Sequence, residues 1–308
     1  MEIVAIPLLL SVGVLLALQA GANVQLSAAM GSPFGAATVQ LAIGAALLAV
    51  AGLTAGSLGA LGRIERAEPS ELVGGLGSAL YISAGILLFP RLGALVAVGL
   101  LIAGQMLTSL ALDAFGWLGV AHDPPGAAAL AGAAAVIAGA WMITRAQAGA
   151  GALERAARER TRWIVLALAA GAVLPVQGAI NAELNAEVDA ALAVGTFSFL
   201  VATGAMALVL GAAVALGRPR PRLHPLAGLP WWAWLGGACG ATYVTSVFLL
   251  IPEVGAAAVV MLTVAGQQVA SVLVDRYGWL RMQRRELSEH RLAGVALLLL
   301  GVVLVQLA

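Results

Sequence analysis

The sequence predicts an all-α integral membrane protein, with ten transmembrane helices arranged as two inverted-topology repeats of five. Three observations carry this reading. Only 10% of the 308 residues are charged and 61% are hydrophobic, whereas soluble domains carry about 25% charged residues. The charges are spaced so that they punctuate apolar runs of membrane length. The second half of the chain also repeats the first, with its polar residues in the same order.

No charge lies between Glu2 and Arg63. A bilayer core takes about 20 apolar residues per helix, so this stretch holds two. The Gly31-Ser32-Pro33-Phe34-Gly35 turn divides them, giving helices over 3–30 and 35–57. Glu71 to Arg91 frames a third helix over 71–89, Arg91 to Asp113 a fourth over 92–112, and Asp123 to Arg145 a fifth over 126–144. Arg162 to Glu183 marks a sixth over 163–187, and Asp189 to Arg218 a seventh over 191–216. Arg222 to Glu253 gives an eighth over 231–251, Glu253 to Asp275 a ninth over 254–274, and the tail after Arg291 a tenth over 289–307. These runs are continuous rather than alternating, which argues against barrel strands. Glu2 and the long first apolar run argue against a cleaved signal. Trp117, Trp141, Trp163, Trp231, Trp232, Trp234 and Trp279 fall near span ends, as interfacial anchors do.

All sixteen basic residues are Arg. With ten helices, the turns after odd-numbered helices gather fourteen of them on one side and leave Arg63 and Arg66 on the other. The positive-inside rule makes the fourteen-Arg side cytoplasmic and puts both termini outside.

Tyr81–Trp117 aligns with Tyr243–Trp279 at an offset of 162, with 15 of 37 positions identical. The matches include Tyr81/Tyr243, Pro90/Pro252, Gln105/Gln267 and Asp113/Asp275. Gln19 and Asn23 match Gln177 and Asn181 at an offset of 158. The units are 1–146 and 163–308, joined by a cytoplasmic linker over 147–162 that reads as a short surface helix. An odd number of helices per unit makes the second copy enter from the opposite side, an arrangement common in secondary transporters. Gly74-Gly75, Gly236-Gly237 and Gly52…Gly56 are expected to let helices approach closely.

The stretches Leu174-Pro175-Val176-Gln177-Gly178-Ala179-Ile180-Asn181, Tyr243…Pro252-Glu253-Val254-Gly255-Ala256 and Gly266-Gln267…Asp275-Arg276-Tyr277-Gly278 resemble the YdcZ-type branch of the drug/metabolite transporter superfamily. The resemblance spans nearly the whole chain. It implies a ten-helix fold fused from two five-helix units, in a bacterial inner membrane. It defines no substrate. Ala17 stands where the second half has Pro175, so a kink of the second half has no counterpart in the first.

Polar residues in a bilayer usually face a bundle interior or cavity. Gln19, Asn23, Tyr81, Gln105, Gln177, Asn181, Tyr243 and Gln267 all fall near mid-depth; Gln105 and Gln267 lie about 4–5 Å from the midplane at 1.5 Å per residue. They are either interhelical hydrogen-bond partners or the lining of a solute site between the repeats. The second reading predicts a transporter for a small polar or amphiphilic solute, monomeric because its two units are already fused. A non-transporting scaffold or lipid-handling protein is the alternative, and it requires the polar set to pair with itself. A proton-coupled multidrug or cation exporter would need a buried carboxylate, for which Glu183 is the candidate. Pro175 is a hinge, a source of a free carbonyl, or a tolerated kink. Asp113 and Asp275 are expected to cap helix ends, with Arg276 as neighbour. His122, His224 and His290 are expected in loops. Without clustered His, Cys or acids, neither a metal nor a cofactor is expected, nor an enzyme, and the scarcity of charge leaves no nucleic-acid surface.

Overall fold

In lipid a continuous apolar chain satisfies its backbone polar groups only within a helix. The computed structural model describes residues 2–122, 124–145, 154–254 and 256–306, and these form ten α-helices. They are α1 Glu2–Met30, α2 Pro33–Thr54, α3 Gly75–Leu92, α4 Ala94–Phe115, α5 Ala127–Arg145, α6 Glu154–Val188, α7 Ala191–Ala215, α8 Gly236–Val254, α9 Ala256–Tyr277 and α10 Glu289–Gln306. There is no strand among the described residues. By length and composition, α1, α2, α3, α4, α6 and α7 suffice to cross a membrane, while α5 and α8 hold shorter apolar stretches. Large apolar side chains such as Leu53 and Leu208 face outward, as a lipid-facing surface requires.

Where helix ends differ from expectation, local chemistry explains the shift. Ser32 caps α2, its hydroxyl accepting from Gly35 N at 3.1 Å, with Pro33 in the first turn. The expected third and eighth helices open instead as 3₁₀ turns, Glu71–Val73 and Trp231–Trp234. Gly74-Gly75 and Gly236-Gly237 follow them, and glycine pairs are weak helix formers. The charges at 113 and 275 do not end α4 and α9. Left-handed Gly116 and Gly278 do so, a few residues later. The described part of the linker, from residue 154, is the start of α6 rather than a separate surface helix. Residues 146–153 lie outside the described residues. Pro175 is buried inside α6, which runs unbroken past it.

Helices of one half pack chiefly on helices of the other. α1 packs on α9 and α8, and its counterpart α6 packs on α4 and α3. α2 runs along α7, α5 along α10 and α4 along α9. Glycine permits the closest approaches: a Cβ on Gly104 would overlap Leu168 O of α6, and one on Gly266 would overlap Leu10 O of α1. Gly74, Gly75, Gly236 and Gly237 also lie against neighbouring helices. The expected role of Gly52 and Gly56 is corrected. The atoms nearest a Cβ on Gly52 are those of Leu58 and Ser57, just after α2, and Gly56, with φ +68°, has nothing within 4 Å. Left-handed Gly56 follows the end of α2 and packs against no helix.

Candidate functional site

Gln19 and Asn23 are one turn apart on α1, so they share a face; Gln177 and Asn181 repeat this on α6. All four are buried. Each pair seats its amides on the glycine face of the opposite half. The Asn181 and Gln177 amides lie against Gly74, just before α3, and Gly77 within it, and those of Asn23 and Gln19 against Gly236 and Gly240 of α8. Ser78 Oγ lies 3.0 Å from Gln177 Oε1 and 2.7 Å from its Nε2. Asn181 Nδ2 donates to Ser198 Oγ at 3.2 Å.

These contacts frame a narrow cavity between the halves. Gln19 of α1, Ser78 and Tyr81 of α3, and Tyr243 of α8 contribute its polar lining, with Leu16, Leu174 and Phe199 among the apolar residues. Its volume is about 10 Å³, roughly the room one water needs. Of the eight predicted residues, Gln19, Tyr81 and Tyr243 meet at this cavity. Gln177 reaches it only through Ser78. Asn23, Asn181, Gln105 and Gln267 do not line it.

Gln105 on α4 and Gln267 on α9 are fully buried, and neither amide finds a partner for its oxygen or its nitrogen. Adjacent Gln268, also fully buried, is unpartnered in the same way. Asn23 and Asn181 each keep one unpartnered oxygen. Buried polar groups are overwhelmingly satisfied in folded proteins, so this concentration at the contact between halves is unusual. Sequence reading missed Gln268, Ser78 and Gln40. Gln40 bridges α2 to α8, its Nε2 donating to Ala233 O at 2.7 Å and its Oε1 accepting from Gly237 N at 2.6 Å. An isolated amide in an apolar run was the available signal for Gln40 and Gln268, whose repeat counterparts are Ser198 and Met106.

The structure corrects the expected partner of Asp275. Its carboxylate pairs with Arg291 of α10 at 2.9 Å, not with Arg276. Its oxygens also accept from Ala94 N and Leu95 N, at 3.0 and 3.2 Å. Asp275 therefore caps the start of α4, in the other half, because a carboxylate meets unsatisfied amides and a favourable dipole there. Glu183 is partly exposed, its carboxylate resting on Gly119. His290 lies in the first turn of α10 rather than in a loop. No group of three potential metal ligands occurs among the described residues.

The model of one family, described as "Putative inner membrane exporter, YdcZ", matches residues 4–142 and again 162–304. No curated protein matches the chain. Among solved structures, one described only as "Crystal structure of protein" is 21% identical, covers 97% of this chain and 96% of its own, and superposes with a TM-score of 0.64. That likeness shows a shared fold.

Proposed function

The chain belongs to the YdcZ family of the drug/metabolite transporters, and from that premise we propose that it carries a small polar or amphiphilic solute across the inner membrane by alternating access. It is a transporter-like multi-pass membrane protein. The finer reading is of ten spans in two inverted repeats, with both termini outside and the solute bound at mid-depth between the halves. The helix pairings support the repeat, since exchanging the halves maps α1–α9 onto α6–α4 and α1–α8 onto α6–α3. A protein whose repeats are fused supplies its own pseudo-partner, so the reading is of a monomer.

One observation carries the site: Gln19, Ser78, Tyr81 and Tyr243 converge from both halves on one cavity. At about 10 Å³ it is too small for a solute, so this is a closed arrangement between two open ones. The unpartnered amides of Gln105, Gln267 and Gln268 speak against a self-paired scaffold, because leaving a buried polar group unsatisfied costs about 1–3 kcal/mol. Such groups gain partners when the halves part and admit water or solute. Neutral amide and phenol groups suit a hydrogen-bonding solute better than a bare cation. The partly exposed Glu183 does not provide the enclosed carboxylate that a proton-coupled cation exporter needs.

Purified protein is screened by thermal shift against metabolites and cationic drugs, and its hits are assayed for uptake into proteoliposomes. A solute that stabilises the protein and is transported, with transport lost in Tyr81→Phe or Gln19→Leu, is the expected result. Failure to bind or move any solute under any ion gradient overturns the reading.

A further inference from the structure

We propose that a second cavity, below the polar site on the arginine-rich face, receives a carboxylate or phosphate group through Arg281 and Arg285. This deepens the transport reading and rests on it for the claim that the anion belongs to the solute. The cavity has a volume of about 210 Å³ and is lined by Gln25 of α1, Phe89 of α3, Asp275 of α9, and Arg281, Gln283 and Arg285 of the following loop. It lies about 9 Å from Gln19 along α1 and about 12 Å from Tyr81 along α3, at 1.5 Å per residue. On the transport reading it is the vestibule to the central cavity on one side.

Topology alone accounts for arginines on this face, but not for the place of Arg281. The turn after α9 matches the turn after α4: Gly278 with Gly116, Leu280 with Leu118, Arg281 with Gly119. All six have positive φ, between 56° and 68°. The first half fills the last left-handed position with glycine, which adopts it without strain. The second half fills it with Arg281 at φ +57°, a strained backbone of the kind that persists at functional sites. Leu280 docks this turn on α1 against Gly21. Arg285 is fixed as well. Its N–H donates to Asp275 O at 2.8 Å, and its guanidinium lies over Gly93, where any Cβ would collide with it. The Asp275 carboxylate does not cancel these charges, since Arg291 and two amides already engage it.

The opposite mouth has the reverse sign. Glu183 is the repeat counterpart of Gln25, and it rests on Gly119, the counterpart of Arg281. The same two places thus read Gln25 and Arg281 at one mouth, Glu183 and Gly119 at the other. An anion is drawn to the first and repelled at the second. With the arginine face cytoplasmic, the bias is outward.

The test uses the full chain in phosphatidylcholine nanodiscs, with calorimetric titration of phenyl phosphate, neutral benzyl alcohol and cationic benzylamine. Phenyl phosphate is expected to bind, and Arg281→Gly or Arg285→Gln to weaken it about 10- to 100-fold. Arg281→Gly installs the counterpart's residue and relieves the strained turn. Its unliganded melting temperature should therefore match or exceed wild type, separating lost binding from misfolding. Native mass spectrometry in phosphatidylglycerol nanodiscs distinguishes the sources. Lipid retained by wild type, lost from Arg281→Gly and excluding phenyl phosphate upholds the anion site but gives it to a headgroup. Phenyl phosphate that does not bind, binds no better than benzylamine, or ignores Arg281→Gly overturns the proposal. Intact phenyl phosphate binding without transport in liposomes sinks the transport reading and leaves the anion site standing.

Discussion

Replacing Asp275 by Asn probes the junction where α9, α4 and α10 meet. Asp275 is 1% exposed and Arg291 5%. The carboxylate accepts from Arg291 Nη2 at 2.9 Å, Ala94 N at 3.0 Å and Leu95 N at 3.2 Å. The Arg291 guanidinium has one further bond, Nη1 to Glu286 O at 2.6 Å, and its Nε is unpartnered. Asn keeps the size and one oxygen, so part of the α4 cap survives. It removes the charge and leaves a guanidinium buried against a neutral group. Breaking a buried pair at one partner costs about 3–5 kcal/mol; retention of part of the cap, worth ~1 kcal/mol, puts Asp275→Asn near 3 kcal/mol. Arg291→Leu leaves the carboxylate its two amides and falls at or below the same figure. The double variant removes both charges and should cost at least 1 kcal/mol less than the two singles together. Reversible SDS unfolding in mixed micelles measures all three. If the singles add to the double within about 0.5 kcal/mol, the two side chains are not coupled and the reasoning fails.

Four further outcomes follow from the buried amides and close helix contacts. Gln268→Met installs the side chain that Met106 carries, buried, at the matching place in the first half; removing an unpartnered amide should raise stability by about 1–3 kcal/mol, read by the same unfolding assay. Gln105→Leu and Gln267→Leu should leave the melting temperature unchanged or higher and abolish solute transport in proteoliposomes; a protein that no longer folds would show that these amides are structural. Gln40→Ala removes two hydrogen bonds joining α2 to α8 and leaves a buried N–H unpaired, a loss of about 2–3 kcal/mol in SDS unfolding. Gly266→Ala places a methyl on Leu10 O and forces α1 from α9, so it should destabilise by more than the corresponding change at Gly204, which has nothing within 4 Å.

Much of the fold is legible in the sequence because punctuation and periodicity are local. Ser32 and Pro33 mark the start of α2 wherever that helix goes, and Gly116 and Gly278 end helices whatever surrounds them. The charges at 113 and 275 misled the helix ends because Asp275 is buried, paired and capping a helix from the other half. The site was legible only as a depth. Gln19, Tyr81 and Tyr243 share a level and also a cavity; Gln105 and Gln267 are buried outside that lining. Gln268 escaped notice because its counterpart is Met106, so the repeat offered no match.

By itself the sequence determined a helical membrane protein with a duplicated pattern, since lipid leaves an apolar backbone no other way to bond its polar groups. It also set the spacing of the polar residues along each helix, because position follows from a helix of fixed rise. The tertiary structure alone decided which of those residues meet. That depends on the rotation of each helix and on contacts across 181 and 197 residues of chain, such as Asp275 with Ala94 or Gln40 with Gly237. The tertiary structure likewise brings Arg281 to the lining of one cavity and Glu183 onto Gly119.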